Sequence, residues 1–346
     1  MKILRPTIKS ILVILIVFAL IINTQIKTVS SSNSRTPINV GVIFFTLDNN
    51  AMQQIKQELE NLQKENKIKV SIFDAKSNVS LQGEILDSLL TSKPDLILSL
   101  PVDIKEDAVR YFIEKVKHTN IPLVMFNVQP EVVKKVSKEY DKVAFTASDS
   151  KKEGEMQGEI IRDSWNNHSI IDKNGDGILQ YVLLRGPSGD LIANQRTEGV
   201  TSTINNSGIK TEQIKLLFTN WTKEVAKNYI ENIFLTYSTK IDAVITTSDD
   251  LAAGSIEALQ KYGYNIGDNS KFISVFGING SPEAKQLIDK GLMSGTVVLD
   301  FKKITQGFYD IGMDLINNVN PLKDANFKSE DGIIIIDANA NKYIKG

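Results

Sequence analysis

Residues 38–45 read INVGVIFF, a short apolar run rich in β-branched and aromatic side chains. A run of this length and composition predicts a buried strand. The apolar residues after it recur every three or four positions, which places them on one face of a helix: Met52, Ile55, Leu59 and Leu62. The first folded segment is therefore predicted to be a strand followed by an amphipathic helix.

The same alternation continues along the chain. Further strands are predicted at residues 67–73, 96–100, 122–127, 143–147, 179–184, 214–218, 243–246, 272–276, 295–298 and 332–336, with amphipathic helices between most of them. Such alternation favours a parallel sheet with helices on both faces, so we predict an α/β fold made of two such units. Ligands bind beyond the carboxyl ends of strands in sheets of this kind.

Composition limits the functions that the chain can perform. Its 346 residues include 40 Lys and Arg against 41 Asp and Glu, so there is no excess of positive charge to attract nucleic acid. Cys is absent, which excludes disulfides, thiolate nucleophiles and Cys-based metal sites. We interpret the two histidines, His118 and His168, as surface residues rather than ligands.

The N-terminus predicts export. Lys2, Arg5 and Lys9 precede or flank an apolar run over residues 11–22, which is the pattern of a signal peptide. Residues 7–26 also have about the 20-residue length that spans a bilayer, so an uncleaved membrane anchor is the alternative. We assign residues 1–36 to this segment, including a Ser-rich tether. The folded part is expected in the periplasm or on the extracellular face of the cytoplasmic membrane.

Residues 172–180 (DKNGDGILQ) match the first nine positions of a calcium-binding loop. Gly at the sixth position permits the sharp turn of such a loop. Five residues supply side-chain or backbone oxygens that can converge on one hard cation: Asp172, Asn174, Asp176, Ile178 and Gln180. We therefore predict a bound Ca²⁺ ion.

The loop departs from an EF-hand at its end. Position twelve should be a bidentate Glu, but Leu183 stands there, and residues 180–184 (QYVLL) predict a strand instead of a helix. The carboxylate that completes the calcium shell must therefore come from another part of the chain.

No motif predicts catalysis. The sequence contains no G-x-G-x-x-G after a strand, no phosphate-binding P-loop, no H-E-x-x-H and no G-x-S-x-G. The acidic pair Asp249–Asp250 follows a predicted strand, where such residues more often cap a helix than act as catalysts. We predict a binding protein, not an enzyme.

A calcium loop that runs directly into a strand, in an exported two-lobed α/β chain, resembles the periplasmic galactose/glucose-binding proteins of the ribose-type sugar-binding family. The similarity covers nearly all of the chain after the export segment, including residues 39–45 (NVGVIFF), 122–127 (PLVMFN), 147–154 (ASDSKKEG) and 275–278 (VFGI). It implies a periplasmic-binding-protein type I fold with a hinge between lobes. One lobe would comprise residues 37–146 and 299–329, and the other residues 147–298 and 330–346.

The resemblance also implies which residues bind. Asp242 stands where the family has a Glu that completes the calcium shell. Trp221 would stack on the apolar face of a sugar ring, while Arg196 and Asn127 would bond its hydroxyls. The candidate ligand-binding residues are Asn49, Asn127, Asp190, Arg196, Trp221, Ser248, Asn279 and Asp300.

Several of these positions differ from the family pattern. Ala51 replaces a stacking aromatic residue, and Ile192 and Leu299 replace an Asp and an Asn that bond sugar. Other positions exchange one polar residue for another: Asn49 and Asn279 for Asp, Asp190 for His, and Ser248 for Asn. A one-residue shift near Leu299 would bring Asp300 into the pocket instead. Because polar pockets reject ligands that leave their groups unpaired, we expect these changes to alter the ligand.

The resemblance predicts that the chain binds galactose, glucose or a related monosaccharide, as a monomer, and delivers it to the permease of an ABC importer. The alternative is a membrane-tethered sugar sensor for a histidine kinase or chemoreceptor. Repressors with the same two-lobed core carry an N-terminal DNA-binding helix-turn-helix, whereas this N-terminus is an export segment.

Overall fold

The computed structural model describes residues 37–65 and 67–345. The predicted signal peptide or anchor, residues 1–36, lies outside the described residues, and both alternatives for it stay predictions. None of the helices in the described part of the chain combines the length and hydrophobicity needed to cross a bilayer.

The described residues form thirteen strands. In chain order they are β1 (Ile38–Phe44), β2 (Ile68–Asp74), β3 (Leu96–Ser99), β4 (Leu123–Phe126), β5 (Val143–Ser148), β6 (Leu179–Arg185), β7 (Thr211–Phe218), β8 (Ala243–Thr246), β9 (Ser274–Asn279), β10 (Gly295–Val298), β11 (Lys328–Glu330), β12 (Ile333–Ile336) and β13 (Asn341–Ile344).

The described residues also form ten α-helices and two short 3₁₀ helices, which connect these strands. The 3₁₀ helices are Asn269–Lys271 and Pro321–Lys323. The α-helices are α1 (Asn50–Lys64), α2 (Val79–Ser92), α3 (Glu106–Lys117), α4 (Pro130–Val136), α5 (Ser150–Asn166), α6 (Leu191–Asn206), α7 (Lys223–Tyr237), α8 (Asp249–Lys261), α9 (Pro282–Asp289) and α10 (Phe301–Ile316).

The strands form two sheets. The first has the order β11-β12-β5-β4-β3-β1-β2, and the second has the order β13-β10-β9-β8-β6-β7. Within each sheet the pairs are parallel, except that β11 and β13 run antiparallel to their neighbours. We call the parts of the chain built on these sheets the first lobe and the second lobe. The prediction of a two-lobed α/β fold is confirmed.

The predicted division of the chain at residue 330 is wrong for β12. This strand pairs in parallel with β5, so it belongs to the first sheet, and only β13 of the C-terminal segment joins the second. The four isoleucines of β12 suit a position between two strands, because three of them are buried there. Strand β13 (NKYI) was not predicted, since an exposed edge strand with polar residues lacks the apolar signal of a buried one.

The apolar faces of the helices build the core as their spacing predicts. The four apolar residues of α1 that recur at helical intervals are all buried: Met52, Ile55, Leu59 and Leu62. Burying each such side chain stabilises a fold by about 1.5–3 kcal/mol relative to leaving it exposed. Helix α10 packs against α1 and the first sheet, although it follows the last parallel strand of the second. The chain therefore crosses between the lobes near residue 299.

Candidate functional site

The carboxyl ends of the two sheets face one cavity between the lobes. It encloses about 680 Å³ of space between the protein atoms, part of which is open to solvent. Seven of the eight residues predicted to bind ligand line it: Asn49, Asn127, Asp190, Arg196, Trp221, Ser248 and Asn279. Residues scattered over more than two hundred positions of sequence thus meet at one place.

The eighth predicted residue, Asp300, does not line this cavity. Its carboxylate caps α10 by accepting a hydrogen bond of 3.0 Å from the Lys303 backbone N–H. Leu299 lines the cavity instead and is 6% exposed. The one-residue shift that would bring Asp300 into the pocket in place of Leu299 therefore does not occur in the structure.

Three of the lining residues begin helices. Asn49, Asp190 and Ser248 are the N-caps of α1, α6 and α8, and each side chain accepts a backbone N–H of its helix. A polar N-cap is favoured because the first N–H groups of a helix have no partner within it. In this fold every such helix starts at the carboxyl end of a strand, so the caps lie at the cavity. Asp249 and Asp250 lie in the first turn of α8, one and two residues after its cap.

Asn127 joins the two lobes inside the cavity. Its Nδ2 donates to Asp190 Oδ2 at 2.9 Å, and its Oδ1 accepts the Ile192 backbone N–H at 3.1 Å. Burial raises the pKa of Asp190, and hydrogen bonds from the Ala193 backbone and from Asn127 act in the opposite direction. The Asp190 carboxylate is therefore held at the meeting point of both lobes.

Arg196 is a buried cation with a buried counter-ion. Its Nε donates to Glu153 Oε2 at 2.8 Å, and its Nη1 donates to the Thr247 carbonyl at 2.7 Å. The Arg196 and Glu153 side chains are only 5% and 1% exposed. A guanidinium carries five N–H donors, so this fixed group has further donors to offer beside the cavity.

Trp221 lines the cavity and has an unusual backbone conformation. Its φ is +70°, a left-handed value that is uncommon for a bulky residue. A Cβ placed on Gly186 would lie 2.2 Å from the Trp221 ring, so only glycine leaves room for it. Asn127 and Asn279 also have positive φ, at +66° and +125°. Backbone strain of this kind clusters at ligand sites.

A further contact spans the cleft outside the predicted site. The Asn50 backbone N–H donates to Asp250 Oδ2 at 3.0 Å, and Asn50 Nδ2 donates to Asp250 Oδ1. Gln129 on the first lobe similarly donates to the Gly189 carbonyl on the second. With these contacts the lobes are closed on the cavity.

Sequence reasoning missed most of the first-lobe side of the cavity. The structure adds apolar residues that follow β1 and β3, end β4 or lie on α1 and α10, chiefly Phe45, Met52, Leu100, Phe126 and Phe301. Phe45 and Leu100 are the last residues of the strands predicted at residues 38–45 and 96–100, and this position was the available signal. Apolar residues at those positions, however, have the same pattern as ordinary core residues.

The predicted calcium loop, residues 172–180, is compactly folded. Asp172 accepts the backbone N–H groups of Gly175 at 2.8 Å and Gly177 at 2.9 Å. Asn174 Nδ2 lies 2.8 Å from Asp176 Oδ2 and 3.1 Å from Gln180 Oε1. Side-chain oxygens of two predicted calcium ligands, Asp176 and Gln180, thus lie within hydrogen-bond distance of one amide nitrogen. Both Gly175 and Gly177 have positive φ, at +71° and +74°.

Asp242 lies directly behind this loop. Its two carboxylate oxygens accept the Lys173 and Gln180 backbone N–H groups, each at 2.8 Å, and the residue is 1% exposed. Burial raises its pKa to about 6, and the nearby Asp172 and Asp176 carboxylates add to the rise. Negative charge gathered behind a loop of oxygens fits a hard cation.

Glu212 also borders the loop, where its Oε2 accepts a hydrogen bond of 2.8 Å from Gln180 Nε2. In the described part of the chain, no three acidic or histidine side chains cluster closely enough to hold a metal by themselves. A cation would depend as well on the Asn174 and Gln180 amides and on the Ile178 carbonyl.

Comparison with known proteins gives a consistent family. A periplasmic binding protein domain matches residues 40–319. The chain is 29% identical over 303 residues to a D-galactose/methyl-galactoside binding periplasmic protein of Haemophilus influenzae, which covers 86% of this chain and 87% of that protein. It is 25% identical over 268 residues to the ribose import binding protein of Bacillus subtilis, covering 78% of each.

Solved structures have the same fold. A galactofuranose binding protein superposes with a TM-score of 0.71 at 17% identity, covering 89% of this chain and 95% of that one. An ABC transporter solute binding protein from Bacillus halodurans, with bound myo-inositol, has a TM-score of 0.66 at 21% identity and covers 91% and 96%. The expectation of a binding protein rather than an enzyme is confirmed by these relationships. With most of its length matched by that domain, the chain belongs to the periplasmic binding protein family.

Proposed function

We propose that this protein binds a monosaccharide between its two lobes outside the cytoplasm and delivers it to an ABC importer. The observation that carries the proposal is the cavity, where residues of both lobes meet around Trp221 with a fixed guanidinium, Arg196, beside it. A cavity lined mostly by apolar and aromatic groups with a few placed polar ones is typical of small-molecule sites.

The side chains of the cavity suit a sugar. The Trp221 ring offers a flat apolar surface for the C–H face of a pyranose. Arg196 offers donors to hydroxyl oxygens, and Ser248 and Asn279 can both donate and accept. Asn127 and Asp190, which bond each other across the lobes, would exchange partners with ligand hydroxyls or hold the closed state around them.

Galactose and glucose are the first ligands that we propose. The relative from Haemophilus influenzae is named for D-galactose and methyl-galactoside binding, and it aligns over most of both chains. The departures at Ile192 and Leu299 remove family partners for hydroxyls, and Ala51 removes a stacking aromatic residue. Pentoses and less polar sugars therefore belong in the same test.

Closure of the lobes is the step that we expect a partner to sense. Cross-lobe bonds such as Asn50–Asp250 form only when the lobes approach, so closure changes the surface presented to a permease. The relatives of import systems favour an ABC permease over a sensor as that partner. No observation on the described residues favours the sensor alternative.

We also propose that the loop at residues 172–180 holds Ca²⁺, with Asp172, Asn174, Asp176, Gln180 and the Ile178 carbonyl as ligands and Asp242 as the closing carboxylate. Bound calcium would supply structural cross-linking between this loop and the start of β8, and no part in sugar recognition. The hydrogen bonds from Lys173 and Gln180 to Asp242 already bring the carboxylate to the loop.

Isothermal titration of the purified protein with D-galactose, D-glucose, D-ribose and L-arabinose tests the function. We expect one or more to bind with 1:1 stoichiometry, and Trp221→Ala to weaken that binding by about 1–3 kcal/mol. Failure of every monosaccharide to bind would refute the proposal.

A further inference from the structure

Of the described residues that line the cavity, two are charged, Asp190 and Arg196. The Arg196 guanidinium keeps its proton at every physiological pH, so its charge is permanent. A buried cation without a counter-ion would favour a ligand that supplies the negative charge. The kind of ligand that the site accepts therefore depends on what balances Arg196 inside the protein.

Glu153 supplies that balance from behind the cavity. It does not line the cavity, and its Oε2 accepts the hydrogen bond of 2.8 Å from Arg196 Nε. Its second oxygen, Oε1, is buried and has no hydrogen-bond partner among the described residues. In the same part of the chain, Arg196 is the one cation that forms an ion pair with Glu153. The full negative charge of Glu153 is thus directed at Arg196.

Close packing of α5 against α6 keeps these two residues together. A Cβ placed on Gly154, next to Glu153, would lie 2.2 Å from the Arg196 carbonyl oxygen, and one placed on Gly199 would lie 2.3 Å from the Lys151 carbonyl oxygen. Glycine at both positions lets the two helix backbones approach closely. Because both helices belong to the second lobe, the ion pair does not depend on closure of the cleft.

Gln157, one turn after Glu153 on α5, joins this helix to the second sheet. Its Nε2 donates to the Thr246 carbonyl at 2.9 Å and to the Gly277 carbonyl at 3.0 Å, near the carboxyl ends of β8 and β9. Gln157 is completely buried. Glu153 is therefore held in one position relative to Arg196 and to the sheet edge that borders the cavity.

The arrangement leaves a site with donors but no net positive charge. Arg196 Nε and Nη1 are engaged inside the protein, and Nη2 remains to donate to a ligand oxygen. We infer that Glu153 is a positioning residue that determines specificity through Arg196: it restricts the site to neutral sugars and excludes sugar acids. A ligand carboxylate would lose its water without finding an unbalanced cation. This inference rests on the proposed sugar-binding function.

Isothermal titration of the unaltered protein at pH 7 compares neutral sugars with sugar acids. D-Galacturonate and D-glucuronate differ from D-galactose and D-glucose in carrying a carboxylate in place of the hydroxymethyl group. D-Ribose and L-arabinose complete the neutral set. We expect the most tightly bound neutral sugar to bind at least about tenfold tighter than either uronate.

Glu153→Gln tests whether Glu153 is the source of this preference. Gln keeps the size of the side chain and an acceptor for Arg196 Nε but removes the charge. The ratio of neutral-sugar affinity to uronate affinity should therefore fall at least about tenfold. A purely structural role of Glu153 would not move this ratio, because a loss of packing weakens both kinds of ligand alike.

Glu198→Gln is the matched control. Glu198 pairs with Lys151 at 2.7 Å across the same two helices, but its side chain is 61% exposed. Solvent and salt screen the charge lost at such a position, so this variant should keep the wild-type ratio. If Glu153→Gln does not fold, Glu153→Asp draws the carboxylate back from Arg196 by one methylene and should lower the ratio several-fold.

The outcomes separate this inference from the function on which it rests. If a uronate binds at least as tightly as every neutral sugar, the inference is overturned and the sugar-binding site stands. An unchanged ratio in a folded, sugar-binding Glu153 variant also overturns it, because the preference then has another source. If neither a neutral sugar nor a uronate binds the unaltered protein, both the inference and the proposed function are overturned.

Discussion

Asp250, at the start of α8 in the second lobe, accepts two hydrogen bonds from Asn50, at the start of α1 in the first. The pair bridges the cleft between helices two hundred residues apart in sequence. Asp250 is 6% exposed, and burial raises its pKa while the bonds from Asn50 act to lower it. The two residues therefore form a direct link between the closed lobes.

Breaking this link should favour the open state. Asp250→Ala removes both acceptors, and we expect a larger radius of gyration without ligand by small-angle X-ray scattering. Apparent sugar affinity should fall about 3- to 10-fold, because a smaller fraction of the protein is closed. Asn50→Ala should have a similar effect, and the double variant should be no worse than either alone. Additive losses in the double variant would show that the two residues do not act as a pair.

Gly186→Ala should weaken sugar binding without removing any binding side chain. The added Cβ would lie 2.2 Å from the Trp221 ring and push it from its place. In a Trp165→Phe background, which leaves Trp221 as the remaining tryptophan, we expect an altered emission spectrum and a loss of ligand-induced change. Gly83→Ala is the control, since its Cβ would meet atoms no nearer than 3.5 Å. Wild-type affinity in Gly186→Ala would contradict the packing described for the ring.

Asp249 should make stability depend on pH. Burial raises its pKa from 3.8 to about 6, although bonds from Thr296 and the Ser281 N–H oppose the rise. A raised pKa means that the folded state binds the proton more tightly, so the group costs stability as pH rises from about 4 to about 6. The cost reaches at most about 3 kcal/mol and stays constant above that range.

Comparison with Asp249→Asn isolates this effect, because the other carboxylates titrate in both proteins. The free energy of unfolding, measured by denaturant titration at pH 4 and pH 7, should shift in favour of the variant at the higher pH. A difference between the two proteins that is the same at both pH values would rule out Asp249 as the source.

Removal of calcium should lower the melting temperature. Excess chelator should lower it, and added Ca²⁺ should restore it, because a metal that binds only the folded state stabilises that state. Asp176→Ala should abolish most of this response by deleting a charged ligand. Asp268→Ala is a matched control, since Asp268 makes the same kind of bond to a backbone N–H in another loop. A melting curve that is unchanged by excess chelator would refute the proposed calcium site.

The local patterns of the sequence determined much of the protein. Apolar periodicity sets strands and helices because it depends only on which face of a short segment is buried, as in α1. The loop at residues 172–180 was recognisable because its oxygens and glycines lie within nine residues. The residues after the strands were identifiable because parallel sheets place those ends together.

Tertiary structure alone decided the relationships between distant segments. Strand β12 joins the first sheet and β13 the second, which depends on pairing partners far away in sequence. Leu299, not Asp300, lines the cavity, because the start of α10 uses Asp300 as its cap. The Asn50–Asp250 link arises only when two helix starts from different lobes meet. Local sequence cannot encode such contacts by itself, because their energy depends on the packing of both lobes at once.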